Sequence, residues 1–199
     1  MLYDRFRNRA TPSAKSECPL CKTNLIAKCG KIMIWHWAHE ALEHCDEWWE
    51  PISEWHLKWQ SYVEESCREI PIGNHIADIK LSNGHVVEIQ HSSLPLETVQ
   101  ERELFYENMT WIFDGREFKE RIRLNEKISK KGWPYCTFHW KRPRQYIIQC
   151  TKPVYIDFGE RVLEVREFQG TLKEWEGKEY TSWNGFGYLH KKDLNLFTK

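Results

Sequence analysis

The sequence predicts a mixed α/β protein in three parts, and each part has its own compositional signal. Residues 1–50 are rich in cysteine, histidine and tryptophan, which predicts a small metal-binding module. Residues 51–135 carry apolar patterns in the order helix, three strands, helix, strand, which predicts a compact α/β core. Residues 136–199 hold short β-branched and aromatic runs, which predict a β-rich C-terminal extension of that core.

Composition narrows the class of protein further. The chain of 199 residues is 41% hydrophobic and 29% charged, as expected for a soluble globular protein with one sizeable core. No apolar run approaches the roughly 18 residues of a membrane span, and the start lacks the hydrophobic centre of a signal peptide. We therefore expect a cytoplasmic protein without a membrane partner. Seven cysteines, an odd count, disfavour a full disulfide framework, and the close pair Cys18 and Cys21 instead suggests metal binding.

Charges are unevenly distributed along the chain, although the formal net charge is zero. Residues 37–69 contain nine acidic residues against Lys58 and Arg68, whereas residues 115–144 contain ten lysines and arginines against three glutamates. An acidic block and a basic block fit a cation site beside a phosphate-binding surface. Two solvated faces would give the same distribution, so charge alone leaves both interpretations open.

Local patterns place the elements of the central and C-terminal parts. Ser53 is a suitable N-cap for a helix over residues 54–66, where large apolar residues recur at helical spacing. The run CREIPI is expected to be a short strand, Pro95 to stand near the start of a second helix, and MTWIFD to be an apolar strand. Beyond residue 115 we expect a basic helical stretch and then the strand-like runs QYIIQC, PVYIDF and RVLEVREF.

Residues 75–92, HIADIKLSNGHVVEIQHS, predict a hairpin whose register is set by its apolar residues. A two-residue Asn83-Gly84 turn would mix charged and apolar residues on both faces. A three-residue loop, with Gly84 in the left-handed conformation, pairs Leu81 with His85 instead. In that register one face of the hairpin is apolar throughout, so this register is predicted.

The predicted register brings two carboxylates together. Asp78 lies opposite Glu88, and Gln90 shares their face. Like charges directly opposite each other destabilise a sheet, so the pair calls for a compensating charge. Two carboxylates with a carbonyl oxygen and waters suit Mg²⁺, which can activate water and stabilise charge on a phosphodiester. The alternative is that both carboxylates lie on a solvated sheet face.

The N-terminal part has the spacing of a zinc knuckle. Cys18 and Cys21 are separated by two residues, so both thiolates can reach one tetrahedral Zn²⁺. Two further ligands would come from His36, His39 and Cys45, either as both histidines or as His39 with Cys45. A closed four-ligand site would be structural, because no position stays open for water. The alternative is a set of reduced buried cysteines and packed histidines.

Tryptophan is dense between residues 35 and 59, where six occur. Exposed tryptophans could stack on unpaired bases. Core packing of a small module is the more common use of such residues. The sequence favours core packing and leaves stacking as the alternative.

Seven short stretches follow one another over residues 17–115: CPLC, HWAH, EWHLKW, HIADI, VVEIQHS, RELFY and MTWIFD. This ordered set resembles the CoiA-like competence protein family and, more broadly, the restriction-endonuclease-like core of the PD-(D/E)xK nucleases. The resemblance implies an αβββαβ core with a mixed sheet and a metal-dependent nuclease activity.

The resemblance also implies roles for the matching residues. Asp78 and Glu88 would bind Mg²⁺ or Mn²⁺, and Glu54 on the first helix would be a third acidic contributor. Gln90 would be part of the catalytic set, although the superfamily usually has a lysine there and glutamine supplies no positive charge. CoiA-like proteins commonly have glutamine at this place, so the departure is from the superfamily rather than from the family.

Other residues are candidates for the missing lysine and for proton transfer. Lys58 and Lys80 could supply the positive charge, and His56 could carry a proton or position a group. A surface or packing role is the alternative for each of the three.

The resemblance further places Arg102, Tyr106 and Ser92 near the substrate. Arg102 and Tyr106 are four residues apart and so share a helix face, where they would touch phosphate or support the groups that do. An ordinary intrahelical pair is the alternative.

The resulting hypothesis is Mg²⁺- or Mn²⁺-dependent hydrolysis of phosphodiester bonds, with DNA as the expected substrate and RNA as an open alternative. The setting would be DNA uptake, recombination or phage defence. One rival is a nucleic-acid-binding module with an inactive nuclease core, suggested by Gln90 and the zero net charge. A second rival is a zinc-stabilised interaction protein that binds no nucleic acid.

Overall fold

The protein is described here by a computed structural model that covers residues 1–40, 45–128, 134–175 and 178–191. The chain forms two compact units, Met1–Glu88 and Ile89–Lys199. The helices and strands, in chain order, are β1 (Lys15–Glu17), β2 (Asn24–Lys28), β3 (His36–His39), α1 (Glu54–Gln60), β4 (Arg68–Ile72), β5 (His75–Lys80), β6 (Val86–Gln90), α2 (Leu96–Tyr106), β7 (Met109–Asp114), β8 (Ile122–Ile128), β9 (Pro134–Trp140), α3 (Gln145–Ile148), β10 (Val154–Asp157), β11 (Arg161–Trp175) and β12 (Lys178–Lys191).

This order confirms a mixed α/β fold dominated by sheets. The sequence of helix, three strands, helix and strand expected between residues 54 and 114 is present as α1, β4, β5, β6, α2 and β7. Strands also dominate the C-terminal part, as predicted. The division of the chain at residues 50 and 135 stays a prediction.

The N-terminal unit begins with a small antiparallel sheet in the order β1-β2-β3. Its buried core is made by Met1, Ala10, Cys18, Leu25 and Trp37, so a knuckle cysteine and a strand tryptophan pack together. The unit continues with α1 and with β4 and β5, which pair antiparallel, and then with the start of β6.

The C-terminal unit contains a sheet in the order β7-β10-β11-β12-β9-β8. β7 and β10 are parallel, and the other neighbouring pairs are antiparallel. Buried Glu103 on α2 accepts hydrogen bonds from Trp111 Nε1 at 3.0 Å and from Thr151 Oγ1 at 2.6 Å. One carboxylate thereby ties the helix to β7 and to the loop before β10.

Three predicted elements are wrong in extent or type. The helix expected over 54–66 begins correctly but ends at Gln60, since Ser61 is its C-cap and a 3-10 turn, Glu65–Cys67, follows. The serine hydroxyl donates to Lys58 O at 2.7 Å, which offers the backbone an alternative to further helix.

The basic stretch beyond residue 115 is not an α-helix. It forms a 3-10 turn, Lys119–Arg121, and then strand β8. The apolar residues Ile122 and Leu124 alternate with charged and polar ones, which is the period of a strand. The run QYIIQC, expected to be a strand, instead contains the short helix α3, because so short an apolar run has no period that separates the two types.

Within the part of the chain that the structure describes, no helix is both long enough and apolar enough to cross a membrane.

Candidate metal centres

The Cys18–Cys21 segment folds as a tight knuckle. Cys18 N–H donates to Thr23 O at 2.9 Å, and Leu20 N–H donates to Cys18 Sγ at 3.4 Å. Lys22 adopts a left-handed φ of 65°, which turns the chain back towards β2. The turn therefore aims both cysteine sulfurs towards one point.

Four side chains meet at that point. One ligand atom each from Cys18, Cys21, His39 and Cys45 lies within 4.8 Å of all the others. The Cys18 and Cys45 sulfurs are 3.5 Å apart, and Cys21 Sγ is 3.3 Å from His39 Nε2. Ligands at about 2.0 to 2.3 Å from a tetrahedral Zn²⁺ lie about 3.5 Å from one another. The cluster therefore fits a closed Cys₃His zinc site of the structural kind.

The geometry decides between the two ligand sets that the sequence left open. His36 and His39 are three residues apart on β3, so their side chains point to opposite faces of the strand. His36 Nδ1 instead donates to Ile34 O at 2.8 Å. His39 and Cys45 thus complete the cluster with the two knuckle cysteines, and His36 is outside it.

Two thiols of the cluster, Cys21 and Cys45, have opposed pKa shifts. Burial raises the pKa of Cys21, but hydrogen bonds with Thr23, His39 and Cys18 outweigh it and lower that pKa to about 6. Burial, with the neighbouring Cys18 and Cys21 sulfurs, raises the pKa of Cys45 to about 12. Crowded thiolates repel one another, and a bound Zn²⁺ would deprotonate all of them.

The hairpin has the predicted register. Ile79 pairs with Val87, and Leu81 N–H donates to His85 O at 2.9 Å. Gly84 has φ of +85°, a conformation that side chains rarely adopt, and closes the three-residue loop. The register predicted from the alternation of apolar residues is confirmed.

This register brings Asp78 and Glu88 into contact. Asp78 N–H lies 3.4 Å from Glu88 Oε1, its hydrogen-bond acceptor across the hairpin. Glu88 is only 3% exposed, and the Asp78 side chain is 21% exposed. The alternative of a solvated sheet face is therefore wrong for Glu88. Burying a carboxylate is costly unless charge or hydrogen bonds compensate for it.

Helix α1 brings two further residues to Asp78. Ser53 Oγ accepts from His56 N–H at 3.2 Å, which fixes the first turn of the helix as predicted. His56 Nε2 then lies 3.1 Å from Asp78 Oδ1. From the last turn, buried Gln60 donates through Nε2 to Asp78 O at 3.1 Å. The helix thus holds both the side chain and the backbone of Asp78.

The charge of His56 is coupled to the carboxylates. Burial disfavours the imidazolium, but the carboxylate of Asp78, with smaller effects of Glu69 and Glu88, raises the pKa of His56 above its ordinary value. A protonated His56 would compensate part of the negative charge of the hairpin.

The other residues expected on α1 are not gathered with the pair. Glu54 and Lys58 are exposed, and Lys58 Nζ lies 5.4 Å above the ring of Tyr62. Among the described residues, the one group of three or more His, Cys, Asp or Glu side chains in ligand range is the Cys₃His cluster. Glu54 therefore does not complete a three-carboxylate set with Asp78 and Glu88 in this structure.

Gln90 lies at the end of β6 and is buried. Its Nε2 donates to Ser92 O at 3.0 Å, so this amide orders the backbone after the strand. Ser92 itself is exposed, and Lys80 is partly buried at the end of β5. The roles expected for these residues stay predictions.

Arg102 and Tyr106 share a face of α2, as their spacing predicts, and both are buried, at 5% and 8% exposure. A phosphate contact by either residue would need that face to open. Their expected closeness to substrate stays a prediction.

A further buried acidic residue of the N-terminal unit, Asp46, had no signal in the sequence. Asp46, next to the cluster cysteine Cys45, accepts from His75 Nδ1 at 2.8 Å and from Ile76 N–H at 2.9 Å. The backbone N–H of Trp48 donates to the same carboxylate at 2.9 Å. The indole ring of Trp48 stacks on the His75 ring, with ring centroids 3.3 Å apart. Buried Asp46 thus joins the Cys₃His cluster to the first residues of β5.

The C-terminal unit holds a second such residue. Asp114, at the end of β7, accepts from Arg116 Nε at 2.8 Å and lies 2.8 Å from His91 Nδ1. Burial raises the pKa of Asp114, but hydrogen bonds from Arg116 and His91 outweigh it and lower that pKa below its ordinary value. The sequence pattern D-x-R, here Asp114 and Arg116, is so common that it does not by itself predict an ion pair.

One comparison with known proteins matches the N-terminal part of the chain. A family model described as the N-terminal domain of competence protein CoiA matches residues 7–47. That range contains all four side chains of the Cys₃His cluster. No curated protein and no solved structure matches the chain.

Fold and site together define an α/β protein with an N-terminal Cys₃His cluster. Over residues 7–47 this protein is similar to the N-terminal domain of competence protein CoiA, which supports the resemblance to the CoiA-like family.

Proposed function

We propose that the protein is a nuclease that uses Mg²⁺ or Mn²⁺ to hydrolyse phosphodiester bonds of DNA in a competence-related process. The observation that carries the proposal is the contact of Asp78 with buried Glu88 across the hairpin. The Asp78 backbone N–H reaches the Glu88 carboxylate, so the two residues face each other across the hairpin, and Glu88 lies inside the protein. A shared divalent cation would compensate these two negative charges better than water does. The likeness of residues 7–47 to the N-terminal domain of competence protein CoiA supports the link to competence.

The donor set of the hairpin suits Mg²⁺ or Mn²⁺, because both ions prefer carboxylate oxygens. Asp78 and Glu88 would hold the cation. The cation would supply Lewis-acid stabilisation of a phosphodiester oxygen and a more acidic bound water. His56, 3.1 Å from Asp78, would orient this carboxylate and hold a proton at Nε2. Gln60 would keep the strand backbone in place through Asp78 O.

The zinc cluster would have a different task. Its four protein ligands leave no open position, so Zn²⁺ there would stabilise the module rather than catalyse. The restriction-endonuclease-like character of the core is part of this proposal. It is supported by the order α1, β4, β5, β6, α2, β7 and by acidic residues on the second and third strands of that order.

A second candidate function is nucleic-acid binding by a core without nuclease activity. The contact between His56 and Asp78 favours it, because an imidazolium there could replace the cation as the compensating charge. Gln90 favours it as well, because the superfamily lysine is missing.

A cleavage assay separates the two functions. Zinc-loaded protein is incubated with labelled linear and circular DNA, with and without Mg²⁺ or Mn²⁺. We expect metal-dependent cleavage that Asp78→Asn and Glu88→Gln each lower by more than about 100-fold, beyond the loss typical of residues that only support a metal ligand. Glu97→Gln, an exposed change on α2, is the matched control.

Both variants preserve the shape of the side chain, so zinc content and thermal unfolding should stay close to those of the wild type. Shifted but intact DNA at every metal concentration would support the inactive core. Neither binding nor cleavage would support a zinc-stabilised interaction protein.

A further inference from the structure

The loop between β2 and β3, residues 29–35, exposes apolar side chains at the surface of the N-terminal unit. We name it the β2–β3 finger. Ile32 is 99% exposed, Met33 56% and Trp35 46%. Three large apolar residues within four positions leave far more hydrocarbon in water than scattered surface residues do, which marks an interaction site.

The finger and the last residue of β2 before it carry positive charge without acidic neighbours in the chain. Lys28 and Lys31 are exposed, and no aspartate or glutamate occurs between residues 25 and 39. A binding partner must therefore offer negative charges close to flat or apolar surfaces. Nucleic acid has both, because each base lies beside a phosphate.

Trp35 differs from the tryptophans that follow it. Trp37, Trp55 and Trp59 are buried in packed cores, as the sequence favoured for this group. Trp35 is held at the surface, where its Nε1 donates to Gly30 O at 3.1 Å across the finger. This hydrogen bond fixes the ring, and it occupies the indole N–H that a tryptophan in a membrane interface would direct to water or lipid head groups.

We propose that the β2–β3 finger binds single-stranded nucleic acid. Unpaired bases pack on Trp35 and on the side chains of Ile32 and Met33, while Lys28 and Lys31 contact the flanking phosphates. The inference rests on the proposed function and deepens it, because it names single-stranded nucleic acid as the substrate class. The binding itself does not require the chemistry of the hairpin carboxylates.

The test measures binding without cleavage. Zinc-loaded protein, with no Mg²⁺ or Mn²⁺ added, is titrated into a short fluorescein-labelled oligothymidylate, and affinity is read by anisotropy at several salt concentrations. We expect Trp35→Ala to weaken binding by about 5- to 150-fold, the range for loss of stacking on one base. Replacing Lys28 and Lys31 with glutamine should lower the slope of log affinity against log salt by about 1.4.

Two controls keep the result interpretable. Leu104→Ser changes a residue of α2 that is 79% exposed and should leave affinity unchanged. Trp35→Phe retains an aromatic face and should recover part of the affinity lost in Trp35→Ala, while the zinc content of all variants shows that the module is folded. The same proteins are mixed with a duplex of matched length and with phosphatidylcholine–phosphatidylglycerol vesicles.

The inference is overturned if Trp35→Ala and Trp35→Phe bind oligothymidylate like the wild type. It is also overturned if the duplex binds more tightly than the single strand and is insensitive to both changes, or if Trp35 is needed for vesicles alone. Failure of the nuclease proposal looks different: the oligothymidylate then binds through Trp35, but no metal ion leads to cleavage.

Discussion

The Cys₃His cluster and the hairpin carboxylates lie in the same unit of the chain but differ in how complete they are. The cluster presents four ligand atoms within 4.8 Å of one another, enough to fill a tetrahedron around one ion if it is bound. The hairpin presents two carboxylates, and one of them already has a histidine 3.1 Å away. A complete set of protein ligands serves stability, whereas an incomplete set leaves positions for water and substrate.

Because the cluster has a complete ligand set, we expect its loss to lower the stability of the fold more than any other change considered below. Cys18→Ser should remove stoichiometric zinc and unfold the N-terminal module, because structural Zn²⁺ contributes about 10 to 16 kcal/mol in small zinc modules. Zinc analysis and circular dichroism measure both effects. Cys67→Ser, outside the cluster, is the matched control and should keep its zinc. Full zinc content in Cys18→Ser would show that the cluster is not the site.

The link between the two regions can be tested through Asp46. Asp46→Ala leaves His75 Nδ1 and two backbone N–H groups without their acceptor, so the free energy of unfolding should fall by about 3 kcal/mol. Denaturant unfolding gives this value. The exposed neighbour Glu47, changed to alanine, should have little effect. Equal stability of the two variants would mean that the Asp46 contacts contribute nothing.

The hairpin loop offers a smaller and more local test. Gly84→Ala should cost about 1 kcal/mol, because alanine is strained at a φ of +85° although the space around its Cβ is open. Gly30→Ala is matched, since its Cβ also meets nothing within 4 Å and no left-handed φ is required there. Denaturant unfolding of both variants should show a loss for Gly84→Ala alone.

The smallest expected effect is the pH dependence of the His56–Asp78 contact. Asp78 raises the pKa of His56 against the opposing effect of burial, so the contact stabilises the folded protein fully below the ordinary histidine pKa of about 6.5. This stabilisation is lost as pH rises through the raised pKa of the folded state. A double-mutant cycle with His56→Gln and Asp78→Asn, repeated across that pH range, measures it. A coupling energy that grows with pH would contradict the assignment.

The sequence predicted the hairpin register more completely than the ligand set of the Cys₃His cluster. Asp78 and Glu88 were predicted to face each other because alternating apolar residues and Gly84 allow one register only. The ligand set of the cluster stayed open between two alternatives, since Cys45 is distant in sequence from the knuckle. The contacts that the strand makes with α1 were also beyond prediction: nothing in the sequence shows that Gln60, rather than Glu54, reaches Asp78.

The errors in secondary structure have physical causes as well. The charge of residues 116–127 suggested an exposed helix. The apolar residues in this stretch alternate with polar ones, which is the period of a strand, and the chain forms strand β8 there. Helix α1 ended early because a serine hydroxyl bonds to the backbone, a local competition that an apolar stripe does not reveal.

The most direct test of the central claim is the binding of Mn²⁺ to zinc-loaded protein, followed by electron paramagnetic resonance of the free ion. If Asp78 and Glu88 share a cation, the wild type binds one Mn²⁺ that both Asp78→Asn and Glu88→Gln lose, while all three proteins keep their zinc. Two results would contradict a shared cation. One is equal Mn²⁺ binding by the wild type and both variants. The other is a wild type that binds no Mn²⁺, either without substrate or with DNA present.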